Sequence, residues 1–153
     1  MPRSAPNRVL PLNDENLLAV LPPARQPREQ CAVCTEIGAY VSKREVAGTV
    51  EHDSLPPAVG QLREFMRLGE NVASCWLESC SECGGLFYAE RSYEYLVTGS
   101  EDYEAYTAIS HAAVLALPEV SWARTPGAEL HGFEDGTWSV ITEPSKKLPQ
   151  RRS

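Results

Sequence analysis

The sequence predicts an α+β domain, a small antiparallel sheet packed by two main helices. Three observations lead there. Two Cys-x-x-Cys pairs, Cys31–Cys34 and Cys80–Cys83, supply four thiols from two distant points of the chain. β-forming runs lie on both sides of the second pair. Two longer stretches, 57–68 and 100–117, space their apolar residues at helical intervals. The 153 residues, 42% of them hydrophobic and 23% charged, suit one ordinary domain. The reading divides them into a proline-rich arm (1–29), the domain proper (30–142) and a basic tail (143–153).

The arm carries six of the 12 prolines, which resist both ladders and helix interiors. One short helix fits between them, from Asp14 to Leu21. Asn13 or Asp14 serves as its cap, and Leu17, Leu18 and Leu21 form its apolar side. The segment either docks through those leucines or is a solvated leader. Residues 37–50 read as extended, on the strength of Tyr40, Val41, Val46 and Val50. Next, Val59, Leu62, Phe65, Met66 and Leu68 predict a helix over 57–68, opened by Pro56–Pro57 and stopped by Gly69.

Residues 72–79 read as a strand with Ala73, Cys75 and Leu77 on one face, and 86–97 as its aromatic-rich partner. A helix is expected from Ser100 to Leu117. Ser100 caps it, Glu101, Asp102 and Glu104 complement its dipole, Tyr103, Tyr106 and Ile109 lie on one side, and Pro118 ends it. Residues 119–122 suggest a short strand. Asp135–Gly136 signals a hairpin turn between 129–134 and 137–142.

A two-residue spacer lets both sulfurs of a Cys-x-x-Cys pair turn toward one point, and two such pairs complete a tetrahedral zinc site. The metal ligands expected are therefore Cys31, Cys34, Cys80 and Cys83, with structural zinc as the cofactor. After Cys83, Gly84–Gly85 allow the backbone to fold back toward the sulfurs. Strand, CxxCG turn and strand together make a zinc-ribbon-like hairpin. The first pair is followed by Thr35, so its turn is less well specified. Unlinked buried thiols or a redox pair are the competing readings, and the βαβ setting of thioredoxin-like chemistry is missing. Cys75 is expected to be a small buried residue, with replacement of a ligand by Cys75 or His111 as the alternative.

Between Tyr88 and Tyr106, acids and tyrosines interleave, with Arg91 the one base among them. Tyrosine gives stiff contact area with a polar tip, and acids steer a basic partner. The contact residues expected are Glu90, Tyr93, Glu94, Glu101, Asp102 and Tyr103. Core tyrosines beside a solvated acidic face are the plainer alternative.

The formal charge of -7 argues against a general nucleic-acid binder. Removing the four positive charges of the last ten residues leaves the body at -11. No apolar run reaches the ~20 residues of a membrane helix, and no secretory signal is evident at the start, so the expected compartment is the cytoplasm. Catalytic motifs such as H-E-x-x-H, a nucleophile elbow or a phosphate loop do not occur, and a non-enzyme is expected.

The block CSECGGLFYAERSYEYLVTGSEDYEAY at 80–106 resembles a segment of uncharacterised bacterial proteins. These have a CPxCG turn, aromatic strand residues, and an EYL…GSED stretch leading into a helix. The matching positions are Cys80, Cys83, Gly84, Tyr88, Glu94, Tyr95, Leu96, Gly99, Ser100, Glu101 and Asp102; Ser81 replaces the proline. The resemblance implies a zinc-ribbon-like element and no particular activity. In size and charge such proteins are also similar to immunity proteins that neutralise toxins. The function expected is thus a zinc-stabilised binding protein for a basic protein, a toxin being the sharpest version. A zinc ribbon touching nucleic acid through the basic 146–152 segment, and an enzyme with a metal site of another kind, are the alternatives.

Overall fold

The longest pairing joins Leu86–Leu96 (β5) to Gly99–Ile109 (β6), antiparallel and in register from Leu86↔Ile109 to Leu96↔Gly99. This is a computed structural model that describes residues 13–47, 49–50, 55–68, 75–97, 99–124, 130–134 and 137–140. The stretch expected as a helix from Ser100 is therefore a strand, followed by a 3-10 segment at Ala112–Ala116. Tyrosine and threonine favour the pleated surface, and both faces of β6 are partly covered, which hides the period-two alternation that marks a one-sided strand.

Among the described residues six more strands join the sheet: Tyr40–Val46 (β1), Thr49–Val50 (β2), Leu62–Arg67 (β3), Cys75–Cys80 (β4), His131–Glu134 (β7) and Thr137–Val140 (β8). The order is β2-β1-β6-β5-β4-β3-β7-β8, and every pairing is antiparallel. Among the described residues three α-helices of six residues each accompany it: Asp14–Ala19 (α1), Ala32–Ile37 (α2) and Pro118–Ala123 (α3). The protein is mostly sheet, and the two main helices expected from the sequence are not formed.

The helix expected over 57–68 is instead a 3-10 turn, Pro57–Gln61, running into β3. The register of β3 shifts between Glu64 and Met66, a bulge that adds one residue to the strand. The bulge explains the misleading spacing. Leu62 joins one core, whereas Phe65 and Met66 both join the other, so apolar positions recur three to four residues apart without a helix. Residues 119–122, expected as a strand, lie in α3, where Pro118 opens a helix instead of closing one.

Each central strand feeds two cores. Leu77, Leu86 and Met66 point to the side covered by Val114, Val120 and the arm residues Leu17, Val20 and Leu21. Asn13 caps α1 by accepting from the Asn16 amide at 2.8 Å, and the arm docks through Leu17, Val20 and Leu21 while most of its other described residues stay exposed. Phe87, Ala89 and Tyr106 point to the opposite side, where they pack with Ile37, Ala58 and four cysteines. The hairpin expected near the end is present as β7–β8, with Phe133 against Trp138 at 4.9 Å. Its Asp135–Gly136 turn, the tail from 143 onward and Gly69 lie outside the described residues. No helix among the described residues is long and apolar enough to cross a membrane.

Candidate metal centre

Cys80 ends β4 and Cys83 lies in the turn before β5. The Gly84 amide donates to the Cys80 carbonyl at 2.9 Å and the Cys80 amide to the Gly85 carbonyl at 2.8 Å. This closes the loop tightly enough for the amides of Glu82 and Gly85 to point at the sulfurs of Cys80 and Cys83, each at 3.3 Å. Gly84 has φ +82, and a Cβ there would stand 2.4 Å from the Pro23 carbonyl oxygen. Only glycine fits, because the arm passes directly over the turn. The Arg25 amide donates to the Cys83 carbonyl at 2.6 Å, and the Arg25 guanidinium donates to that of Ser81 at 2.8 Å.

The first pair is built differently. Cys31 precedes α2 and Cys34 lies within it, so a helical turn, not a second glycine knuckle, brings the two sulfurs to one side. Thr35, where a knuckle would have glycine, donates its hydroxyl to the Cys31 carbonyl at 2.9 Å. Gly38, with φ +80, then ends the helix.

All four sulfurs lie within 4.8 Å of one another and all four residues are buried. Cys31 and Cys80 are 3.7 Å apart, and Cys34 and Cys83 3.4 Å. No disulfide is formed by any of the five cysteines. Burial pushes the Cys34 and Cys80 thiols up. Burial also opposes ionisation of Cys31, but hydrogen bonds from the Cys34 amide and from Cys80 and Cys83 outweigh it and leave Cys31 lowered. Four thiols crowded into one dry pocket ionise together only when a cation offsets their charge. The donor set, spacing and inward-aimed amides fit a metal ion, and the four expected ligands are brought together.

Cys75 and His111 are placed elsewhere. Cys75 is buried in the opposite core, where the Tyr88 hydroxyl lies 3.2 Å from its sulfur and donates to Glu119 at 2.9 Å. The His111 ring is 2.5 Å from the Pro22 carbonyl.

The sequence reading missed the groups around the centre. Arg28 donates to the carbonyls of Leu86 and Ile109 at 3.3 and 3.0 Å and lies 5.0 Å from the Phe87 ring centre. It thereby ties the arm to the β5–β6 ladder beside Gly85. On the same side of the sheet, Arg91 meets three carboxylates: Glu64 and Glu78 at 2.8 Å and Glu104 at 3.5 Å. Its guanidinium also lies 4.7 Å from the Trp76 ring centre, and the Tyr106 hydroxyl donates to Glu104. Glu78 is only 3% exposed. Burial, opposed by Arg91 and reinforced by Glu64, raises it to about 7. An acid on a strand face between Trp76 and Cys80, as Glu78 is, is the signal that a partnered interior carboxylate was needed.

The six expected contact residues divide between the two faces of the β5–β6 hairpin. Glu90, Glu94, Glu101 and Tyr103 share one face, and Tyr93 and Asp102, directly opposite each other, share the other. Glu101 is met by Arg44 of β1 at 2.6 Å, and the Tyr40 and Tyr103 hydroxyls are 2.8 Å apart. Glu90, Glu94 and Asp102 make no ion pair among the described residues. No family model, curated protein or solved structure matches the chain.

Proposed function

We propose that the four-cysteine centre holds structural zinc and that the protein is a non-catalytic binder of a basic protein. Tetrahedral zinc with bonds of about 2.3 Å keeps its sulfurs about 3.8 Å apart, close to the 3.7 Å between Cys31 and Cys80. Four buried thiolates leave no open coordination position for substrate, which favours a staple over a catalyst. The observation that carries the binding role is the far end of the β5–β6 hairpin. Tyr93 and Tyr95 are 65% and 80% exposed there, on strands that also carry Glu90, Glu94 and Asp102 without an ion pair among the described residues. Large exposed aromatics beside unbalanced acids suit a cationic protein surface.

An immunity or inhibitor role is the sharpest form of this reading. Affinity capture from the cells that make the protein, followed by stopped-flow mixing with the captured partner, tests it. A basic partner whose association slows steeply with added salt is expected. A partner without basic character, or association indifferent to salt, rejects the reading.

A further inference from the structure

We infer that the basic partner sits on one particular face of the β5–β6 hairpin, the face bearing Tyr93, Tyr95 and Asp102, and not on the face bearing Glu90, Glu94 and Glu101. This rests on the proposed binding role and says where it operates. Tyr93 and Tyr95 are two residues apart on β5, so they rise from the same side of the sheet about 7 Å apart. Neither ring is covered. Asp102 stands directly across from Tyr93, and Glu45 of β1 stands next to Asp102.

Around the tyrosines the charge is unbalanced. Arg28 and Arg67 share this side with Glu64 and Glu78 but lie at the level of Phe87 and Ala89; nearer Tyr93, Glu45, Asp102 and Glu104 stand against Lys43 and Arg91. Those two bases are already in contact with carboxylates: Lys43 with Glu45 at 3.4 Å, Arg91 with three. On the other side, Glu90, Glu94 and Glu101 stand against Arg44, and the tyrosines there are less open. The Tyr103 hydroxyl is tied to Tyr40 and its phenol is pushed up to about 12, chiefly by that hydrogen bond.

A guanidinium stacks on an exposed tyrosine face while a neighbouring carboxylate takes its N–H groups. Two such faces at strand spacing, with acids one strand away, fit an arginine-rich segment of a partner protein. A second copy of this chain would set acid against acid, and phosphate surfaces would be repelled.

Fluorescent nona-arginine binding to the full-length, metal-loaded protein at low ionic strength is the test. Tyr93→Thr/Tyr95→Thr removes no charge and keeps β propensity, whereas Glu90→Gln/Glu94→Gln removes two negative charges from the other face. The tyrosine pair is expected to weaken binding at least about fivefold, from two lost cation–π contacts, and the glutamate pair less than about twofold. Equal losses, or a larger loss in the glutamate pair, overturn the face assignment while leaving the binding role intact. Failure of the wild-type protein to bind overturns both. Self-association that disappears in the tyrosine pair makes a second copy the occupant and also overturns the assignment.

Discussion

The sulfurs of Cys34 and Cys83, 49 positions apart in the chain, lie 3.4 Å from each other. One belongs to a helix and the other to a turn between strands, so the contact joins α2 to the β4–β5 hairpin. A metal ion shared by them would fix both elements at once. Structural zinc contributes ~10 kcal/mol or more, comparable with the ~5–15 kcal/mol total of a domain. Cys83→Ser is therefore expected to unfold the protein, and elemental analysis of the wild type should find one zinc per chain. A Cys83→Ser protein that keeps its cooperative melt, or a metal-free wild type that does so, would rule out the staple.

Glu78 makes stability depend on pH in an unusual direction. Its folded-state value, about 7, lies above the ordinary 4.5. The folded protein thus holds a proton that the unfolded chain releases, and this contribution is full below about pH 4.5 and lost as pH rises to about 7. The loss is roughly 3 kcal/mol. Glu78→Gln keeps the shape and cannot ionise. In urea titrations its stability relative to wild type should improve from pH 5 to pH 8, and an unchanged difference would mean that Glu78 does not titrate in this range.

Gly84 and Gly60 form a matched pair of tests. Alanine at Gly84 meets both a left-handed φ of +82 and the Pro23 carbonyl 2.4 Å away, so a loss of at least ~2 kcal/mol is expected. At Gly60 nothing lies within 4 Å of an added Cβ, and alanine there should be neutral or stabilise by up to ~1 kcal/mol. Denaturation midpoints of the two variants should move apart accordingly.

Leu17 tests whether the arm belongs to the fold. Its side chain is buried in the core beneath the 3-10 segment and α3, so Leu17→Ala should cost ~2–5 kcal/mol. The neighbouring Leu18 is 38% exposed, and Leu18→Ala should change the midpoint far less.

The cysteine centre was legible because two-residue spacers are local and the chemistry of four thiols admits few alternatives. The cap at Asn13 and the strand after Gly85 were legible for the same reason, each being set by a few adjacent residues. The rest was obscured by burial on both faces. In β6, Tyr103, Tyr106 and Ile109 satisfy a helical period while the strand places them on alternating sides of a sheet covered twice. In β3, one extra residue imitates a helix. The Arg91 cluster assembles residues from four strands, and no local pattern foretells which acids will meet one guanidinium.

The irregularity between Glu64 and Met66 sets a rule for how this protein can diverge. Before it, Glu64 reaches the charged side; after it, Met66 reaches the helix-covered side and Arg67 returns to the first. A regular strand of the same residues would swap every side chain after Glu64, sending Arg67 inward and Met66 among carboxylates, whereas loss of Phe65, the residue without a partner, would only straighten the strand and leave them in place. Descendants of this chain can exchange side chains along the strand and can lose the residue at 65 without turning it over, but a residue gained or lost elsewhere in the strand would send its apolar and charged sets to the wrong sides.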